Sequence, residues 1–368
     1  MDAKRYWFWL VNVSGLGSAR IRKLLSVFQC PEGIYQAKQT EILKIPGFGH
    51  KITDAIIKSR NPERIEIAYA KLEKRGIYFV SKMDADYPQK LLNFEDAPYG
   101  LYYKGRLPSE EKKSIAIVGA RECSIYGREI AIMFARELSK AGIQIISGMA
   151  RGIDSYAQQG AVEEAGSTWA VLGSGIDVCY PPENQRLYDK IAAKGGILSE
   201  YGLGIPAFAG NFPMRNRIIS GLCDGILVVE AKERSGSLIT ADIALEQGKD
   251  IFAVPGRIGD IRSYGCNRLI KMGANLVQEP KDILQNYHFY DAGKCKDSKK
   301  NNNMLETREK IVYANLSYQP KHINELLEET ELGLLELLEC LLALETKGYI
   351  KQIVKNFYIL ETNVSANE

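Results

Sequence analysis

The stretch Ser114-Ile115-Ala116-Ile117-Val118-Gly119-Ala120-Arg121 decides the fold. Its apolar run is too short for a helix, ends on a glycine, and gives way to an amphipathic segment at 126–141. The alternation then repeats. Runs at 143–147, 168–172 and 225–229 precede helical patterns at 154–165, 184–194 and 237–247, and further apolar runs follow at 251–254 and 275–277. Unbroken apolar strands separated by helices predict a parallel sheet covered on both faces. The expected class is therefore α/β, a Rossmann-like doubly wound and mostly parallel sheet over residues 106–290.

Outward from this core the pattern changes on both sides. In residues 1–105, Val13-Ser14-Gly15-Leu16-Gly17-Ser18-Ala19-Arg20 and Ile45-Pro46-Gly47-Phe48-Gly49-His50-Lys51 each place G-x-G before an apolar-periodic helix. Such glycines permit a tight hairpin and leave the next helix start open to a phosphate. They resemble the helix-hairpin-helix motif of SAM-like domains, and equally fit a plain compact helical turn. Residues 76–104 read as a connector with one or two strands. Residues 291–303 are polar and aperiodic and predict a flexible linker. From 304 to 368, three helical patterns and two short strands predict a winged-helix-like domain.

The chain has 368 residues with 45% hydrophobic and 25% charged content, enough for two or three packed domains. No apolar run approaches the roughly 20 residues that span a bilayer. Seven scattered cysteines without a CxxC pair predict reduced thiols and a cytoplasmic location. Net charge is +3, but residues 1–113 carry 20 Lys/Arg against 13 Asp/Glu, whereas 304–368 carry 6 against 11. A general basic coat is absent, so any surface for nucleic acid must be local.

In a doubly wound sheet, ligands bind beyond the carboxyl ends of the strands. Those ends here read Gly119-Ala120-Arg121, Ser147-Gly148-Met149-Ala150-Arg151-Gly152-Ile153-Asp154 and Gly173-Ser174-Gly175-Ile176-Asp177. Phe212-Pro213-Met214-Arg215-Asn216-Arg217 and Ser235-Gly236-Ser237-Leu238-Ile239-Thr240 read as further loops at the same edge. Several glycine loops, with Arg121, Arg151, Arg215 and Arg217 among them, predict a phosphate pocket, since a guanidinium can pair with two phosphate oxygens. The competing reading for Arg215 and Arg217 is structural ion pairing, with Glu200 or Glu230 as partners.

A dinucleotide cofactor fits poorly. The first turn reads G-A-R-E-C-S in place of G-x-G-x-x-G, no acidic residue ends the second strand, and no Walker loop is present. All three histidines (His50, His288, His322) lie outside residues 114–284, which removes His-based triads and metal schemes there. Asp154, Asp177, Glu200 and Glu230 remain as carboxylates, and such groups near helix starts commonly serve as caps or arginine partners. No cofactor and no metal are expected. The balance favours a binding module over an enzyme.

These motifs resemble the DNA-processing protein A (DprA/Smf) family of bacteria. The resemblance runs from Ile117-Val118-Gly119-Ala120-Arg121 through the glycine loops at 147–154 and 170–177 with Tyr180-Pro181. It continues through residues 212–221 and 235–241 to Ala253-Val254-Pro255-Gly256. It implies a non-enzymatic recombination mediator that binds single-stranded DNA during natural transformation, dimerises, and helps load the RecA recombinase onto strands coated by single-stranded-DNA-binding protein. Carried over by motif, Gly119, Arg121, Ser147, Gly148, Arg151, Gly152, Arg215, Asn216 and Arg217 are the expected DNA-pocket residues. Where the family often has Ala-His, this chain has Ala157-Gln158.

Single-strand binders pair a basic groove with stacking aromatics, and Phe208 or Phe212 is the expected platform. The third helix of the C-terminal unit carries Glu331, Glu336, Glu339 and Glu345 before its first lysine, so it is a poor reader of DNA. The wing lysines Lys351 and Lys355 leave modest room for a backbone contact. Two other functions stay open. One is a nucleotide-processing enzyme of the phosphoribohydrolase type, although the P-G-G-x-G-T-x-x-E loop of that group is replaced here by Arg234-Ser235-Gly236-Ser237-Leu238-Ile239-Thr240. The other is a scaffold whose DNA contact is confined to the N-terminal hairpins.

Overall fold

The computed structural model describes residues 1–164, 167–289 and 305–361. The chain opens with helix α1 (Ala3–Val11), capped by Asp2, whose side chain accepts from Arg5 N–H. Trp7, Phe8, Trp9 and Leu10 are all buried, so the aromatic patch at the start of the chain is the core of a helical unit. Five helices complete it: α2 (Ser18–Phe28), α3 (Pro31–Gln36), α4 (Gln39–Leu43), α5 (His50–Lys58) and α6 (Pro62–Glu73). The two G-x-G segments form equivalent turns. Gly15 and Gly47 adopt φ of +83° and +93°, while Gly17 and Gly49 stand as N-caps of α2 and α5.

The central sheet has nine strands. They are β1 (Ile77–Ser81), β2 (Gly100–Gly105), β3 (Ser114–Val118), β4 (Gln144–Ser147), β5 (Thr168–Gly175), β6 (Gly196–Tyr201), β7 (Gly225–Val228), β8 (Asp250–Ala253) and β9 (Asn275–Leu276). Their spatial order is β1-β2-β6-β5-β4-β3-β7-β8-β9, parallel from β6 to β9, with β1 and β2 antiparallel at one edge. The connector expected at 76–104 therefore builds the edge of the sheet, and the boundary expected at 105/106 falls between two strands of that sheet. β6 also has no counterpart among the strands read from the sequence.

Side-chain alternation in β3 shows how both faces are covered. Ile115 and Ile117 pack with helices α8 (Ile125–Lys140) and α9 (Ile153–Glu163). Ala116 and Val118 face α11 (Asn211–Leu222) and α12 (Gly236–Glu246) on the opposite side. The end expected for α9 at residue 165 lies outside the described residues. The remaining helices are α7 (Gln89–Leu92), α10 (Gln185–Lys194), α13 (Tyr264–Lys271) and α14 (Pro280–Asn286).

One reading from the sequence is corrected. Residues 212–217 are not a strand-end loop but the first turns of α11. Pro213 does not prevent this, because a proline is tolerated in a first turn, where the N–H it lacks has no intrahelical partner.

The expected linker, 291–303, lies outside the described residues. Beyond it, α15 (Thr307–Ala314), α16 (Ile323–Thr330) and α17 (Leu334–Thr346) pack around Leu326, Leu337 and Leu341. Strands β10 (Lys321–His322), β11 (Ile350–Val354) and β12 (Phe357–Leu360) form a sheet in the order β10-β12-β11, which completes a winged helix. Its wing does not hold a free cation at residue 351: Lys351 Nζ lies 2.7 Å from an oxygen of Glu129, a buried carboxylate on α8.

Asp224 ties the edge segment to the parallel core. It accepts from Ser114 N–H at 2.8 Å and from Lys90 Nζ at 2.7 Å. Burial pushes its carboxyl upward, but those two donors outweigh burial and hold it below the ordinary carboxylate value. A lowered folded value stabilises the fold above the unfolded-state value, and that stabilisation is lost as pH falls through the folded one. Asp224→Asn is expected to cost about 1–3 kcal/mol in urea unfolding at neutral pH. The gap between variant and parent should shrink as the pH is lowered below about 4.

Candidate nucleic-acid interface

From β3 the chain moves to β4 on one side, and after β6 it crosses to β7 on the other. The carboxyl ends of β3 and β7 therefore splay their loops apart, which is where ligands bind in such sheets. A cleft of about 620 Å³ occupies this position. Gly119, Ala120 and Arg121 after β3 form one wall, and Lys232, Arg234 and the start of α12 form another. Phe212, Arg215, Asn216 and Ile219 of α11 line it as well. A smaller recess with Gly148, Arg151 and Gly173 adjoins the cleft and shares Arg121, Ala150, Tyr180 and Phe212 with it.

The helical form of residues 211–222 sets which arginine reaches this cleft. Successive residues of an α-helix are about 100° apart, so Arg215 and Arg217 point in nearly opposite directions. Arg217 turns away and meets both oxygens of Glu200 through Nη2 at 2.8 Å. Arg215 lines the cleft but is only 5% exposed. Its Nη1 donates to the Gly148 carbonyl at 2.7 Å and also to the carbonyl of Val171. Burial lowers its pKa to about 10, a value at which it is still protonated near neutral pH, and the charge of Asp154 works against that fall. Asp154 is itself buried and accepts from Gly148 N–H at 3.2 Å. Burial raises its pKa against the opposing charge of Arg215.

Two glycines are fixed by this arrangement. A Cβ on Gly148 would overlap the Arg215 guanidinium, so only glycine lets that group approach the loop backbone. Gly152 has φ +78°, and a Cβ there would run into the Ala120 carbonyl. Ser147 is fully buried, and its hydroxyl donates to the Ile117 carbonyl at 2.6 Å.

Of the nine residues expected in the pocket, Gly119, Arg121, Arg215 and Asn216 line the cleft, and Gly148 and Arg151 line the recess. Ser147, Gly152 and Arg217 line neither; they hold the backbone or an adjacent ion pair in place. Gln158, at the family's frequent histidine position, is buried and donates to the Trp169 carbonyl at 2.9 Å, away from the cleft.

The free positive charge sits at the rim. Arg121 and Arg234 are exposed and make no ion pair among the described residues. The Arg121 guanidinium lies 5.3 Å from the centroid of the Phe212 ring, and that ring is 5.6 Å from Tyr180. Phe208 is exposed but is not among the lining residues. Arg151 pairs with Glu183 on the surface at 2.5 Å, a contact weak enough in water to be exchanged for a phosphate. α12 begins in the cleft with Ser235 as its N-cap, so its first N–H groups and the positive end of its dipole face the same space. Lys232 and Arg234 were absent from the expected set. Their signal was present in the sequence, since they follow the carboxyl end of β7 just before a helix start.

The four carboxylates considered for catalysis are all engaged. Glu230 accepts from Ser124 N–H at 2.8 Å, Glu200 holds Arg217, and Asp154 lies in the Arg215 knot. Asp177 meets Arg75 at 2.6 Å and accepts from Gly204 N–H at 2.7 Å. Among the described residues no His/Cys/Asp/Glu cluster suits a metal ion, and no helix is long and apolar enough to cross a membrane.

The profile of the DNA recombination-mediator protein A family matches residues 78–288, which spans β1 to α14 and the whole cleft. The chain belongs to this family. Flanking matches agree with the two end units: a SAM-like helix-hairpin-helix tandem at 10–61 and a DprA winged helix domain at 297–353. Among DprA-family proteins, the DNA processing protein DprA of Streptococcus pneumoniae is 39% identical over 276 residues, which is 70% of this chain and 98% of that protein. Protein Smf of Synechocystis is 37% identical over 283 residues, covering 76% of this chain and 71% of its own length. The solved S. pneumoniae DprA structure aligns with a TM-score of 0.68 at 37% identity, over 77% of this chain and 98% of that one. The DNA processing protein A of Helicobacter pylori, solved for its single-stranded DNA binding mode, aligns with a TM-score of 0.52 at 29% identity over 58% and 95% of the two chains.

Arg217 gives a test that separates support from contact. Arg217→Ala strands Glu200 without its bidentate partner, and a loss on the order of 2–3 kcal/mol is expected in chemical unfolding. Oligonucleotide affinity of the folded variant is expected to change by less than about twofold, because the side chain lies outside the cleft.

Proposed function

We propose that this chain binds single-stranded DNA across the switch-point cleft and acts as a recombination mediator that hands the strand to a RecA recombinase. One observation carries the reading: unpaired Arg121 and Arg234, the α12 N-terminus, the half-buried ring of Phe212 and the exposed ring of Tyr180 meet in a single cleft. Cations and helix N–H groups suit a phosphate backbone, and accessible aromatic faces suit unstacked bases. A duplex hides its base faces, so this combination favours a single strand. The solved relative from H. pylori is described as binding single-stranded DNA, which supports the same use of this fold. Release of incoming strands from single-stranded-DNA-binding protein, in the cytoplasm during natural transformation, is the setting the family resemblance suggests.

The test is an anisotropy titration with labelled oligothymidine at several salt concentrations. Arg121→Ala and Arg234→Ala should each weaken binding and flatten the salt slope by about 0.7 per lost phosphate contact. Affinity and slope unchanged in both variants would remove the cleft from the account.

Dimerisation through the sheet's far edge belongs to the same proposal. Leu245 on α12, Met272 after α13 and Leu276 in the edge strand β9 are all exposed large apolar side chains. A monomer rarely leaves such a surface uncovered. Light scattering should give a dimer for the parent and a monomer for Leu245→Glu combined with Met272→Glu; a parent monomeric at micromolar concentration would refute it.

A further inference from the structure

A second cavity, of about 370 Å³, lies between the N-terminal helices and the sheet and shares no lining residue with the DNA cleft. Its size falls within the range of small-molecule sites. Phe8 and Trp9 of α1 and Leu72 of α6 are its apolar wall, Leu203 from the loop after β6 lies at its edge, and the cavity is open to solvent. Asn12, Ser59 and Tyr102 are its uncharged polar groups, and Ser59 Oγ accepts from Trp9 Nε1 at 2.8 Å. Asn12 Nδ2 donates to the hydroxyl of Tyr102 at 2.5 Å, and the proton of that hydroxyl has no acceptor among the described residues.

The mouth is cationic. Arg64 and Lys71 line the cavity from α6, seven positions apart and hence on one face, about 10 Å apart along the axis. Ala68 stands between them, and its short side chain leaves the space open. Neither cation is ion-paired among the described residues, and no Asp or Glu lines the cavity. An apolar interior under two unpaired cations and a hydroxyl donor is complementary to one kind of molecule.

We propose that this cavity binds a small amphipathic anion, an aromatic or branched aliphatic carboxylate or sulfonate, with its apolar body against Trp9 and its charge between Arg64 and Lys71. A strand of DNA does not fit this chemistry, because its charge is distributed along a polymer and the interior is apolar. The site is therefore independent of the cleft, and its failure leaves the DNA reading untouched.

Tryptophan fluorescence provides the readout, with Trp9 in the cavity wall. The full chain is titrated with anilinonaphthalene sulfonate while energy transfer from tryptophan to the probe is followed. One saturable site per chain is expected. The Kd should rise by about tenfold or more in Arg64→Glu combined with Lys71→Glu, a change of about 1.4 kcal/mol. Ala68→Phe should remove this saturable phase by filling the cavity without adding a tryptophan donor, which also separates this site from probe bound on the exposed apolar edge. The uncharged anilinonaphthalene should bind at least about tenfold more weakly, and excess oligothymidine should leave the titration unchanged. Equal affinity in the charge-reversed variant, the saturable phase surviving Ala68→Phe, equal binding of the neutral probe, or displacement by oligothymidine would each overturn the proposal.

Discussion

The rest of the cleft depends on a buried guanidinium. Arg215 reaches from α11 to the carbonyl of Gly148, just past the carboxyl end of β4, and to that of Val171 in the middle of β5, and Asp154 at the start of α9 supplies the opposing charge. An arginine withdrawn from water is costly unless its donors are used and its charge is met. Nη1 is used and Asp154 meets the charge only if the 147–154 loop keeps its course, while the buried Nε has no hydrogen-bond partner among the described residues. That requirement explains why a glycine stands at 148 and why Ser147 is anchored to β3. It also separates two kinds of arginine in one cleft: Arg215 shapes the floor, while Arg121 and Arg234 keep their charge available at the rim.

The same division bears on mechanism. Counterion release requires cations that are hydrated before binding and paired afterwards, which describes Arg121 and Arg234 and does not describe Arg215 or Arg217. The ring of Phe212 lies 5.3 Å from the Arg121 guanidinium and next to that of Tyr180, so in the proposed reading a backbone contact and a base contact would fall close together. The winged helix adds little charge to this surface. Its third helix is acidic, Lys351 is held by Glu129, and its exposed leucines (Leu334, Leu335, Leu338 and Leu342) suit protein contact better than a groove.

Much of the fold was legible because its strands announce themselves. β3 matches the run read from the sequence, and β4, β5, β7 and β8 each lie within a residue or a few residues of theirs, since fully buried parallel strands are short apolar blocks ending in glycine. β1 and β2 were harder, because an antiparallel edge of alternating character looks like a connector until its partner β6 is known. The site was legible as a set of loops but not as a geometry. Reading Phe212-Pro213 as loop placed Arg215 and Arg217 together, whereas the helix sends one to the cleft and the other to Glu200. Lys232 and Arg234 carry no glycine signature of their own. Their place after β7 and before a helix start was readable, but that this loop faces Gly119–Arg121 follows from the strand order that sets β7 beside β3.

The central claim is that a single strand lies across the switch-point cleft with a base against Phe212 or Tyr180. Photo-crosslinking of iodouridine-substituted oligothymidine to the full chain, followed by peptide mass spectrometry, tests it most directly. The account predicts adducts on the peptides that carry Tyr180 and Phe212. Adducts confined to the N-terminal hairpins or to the winged helix would contradict it.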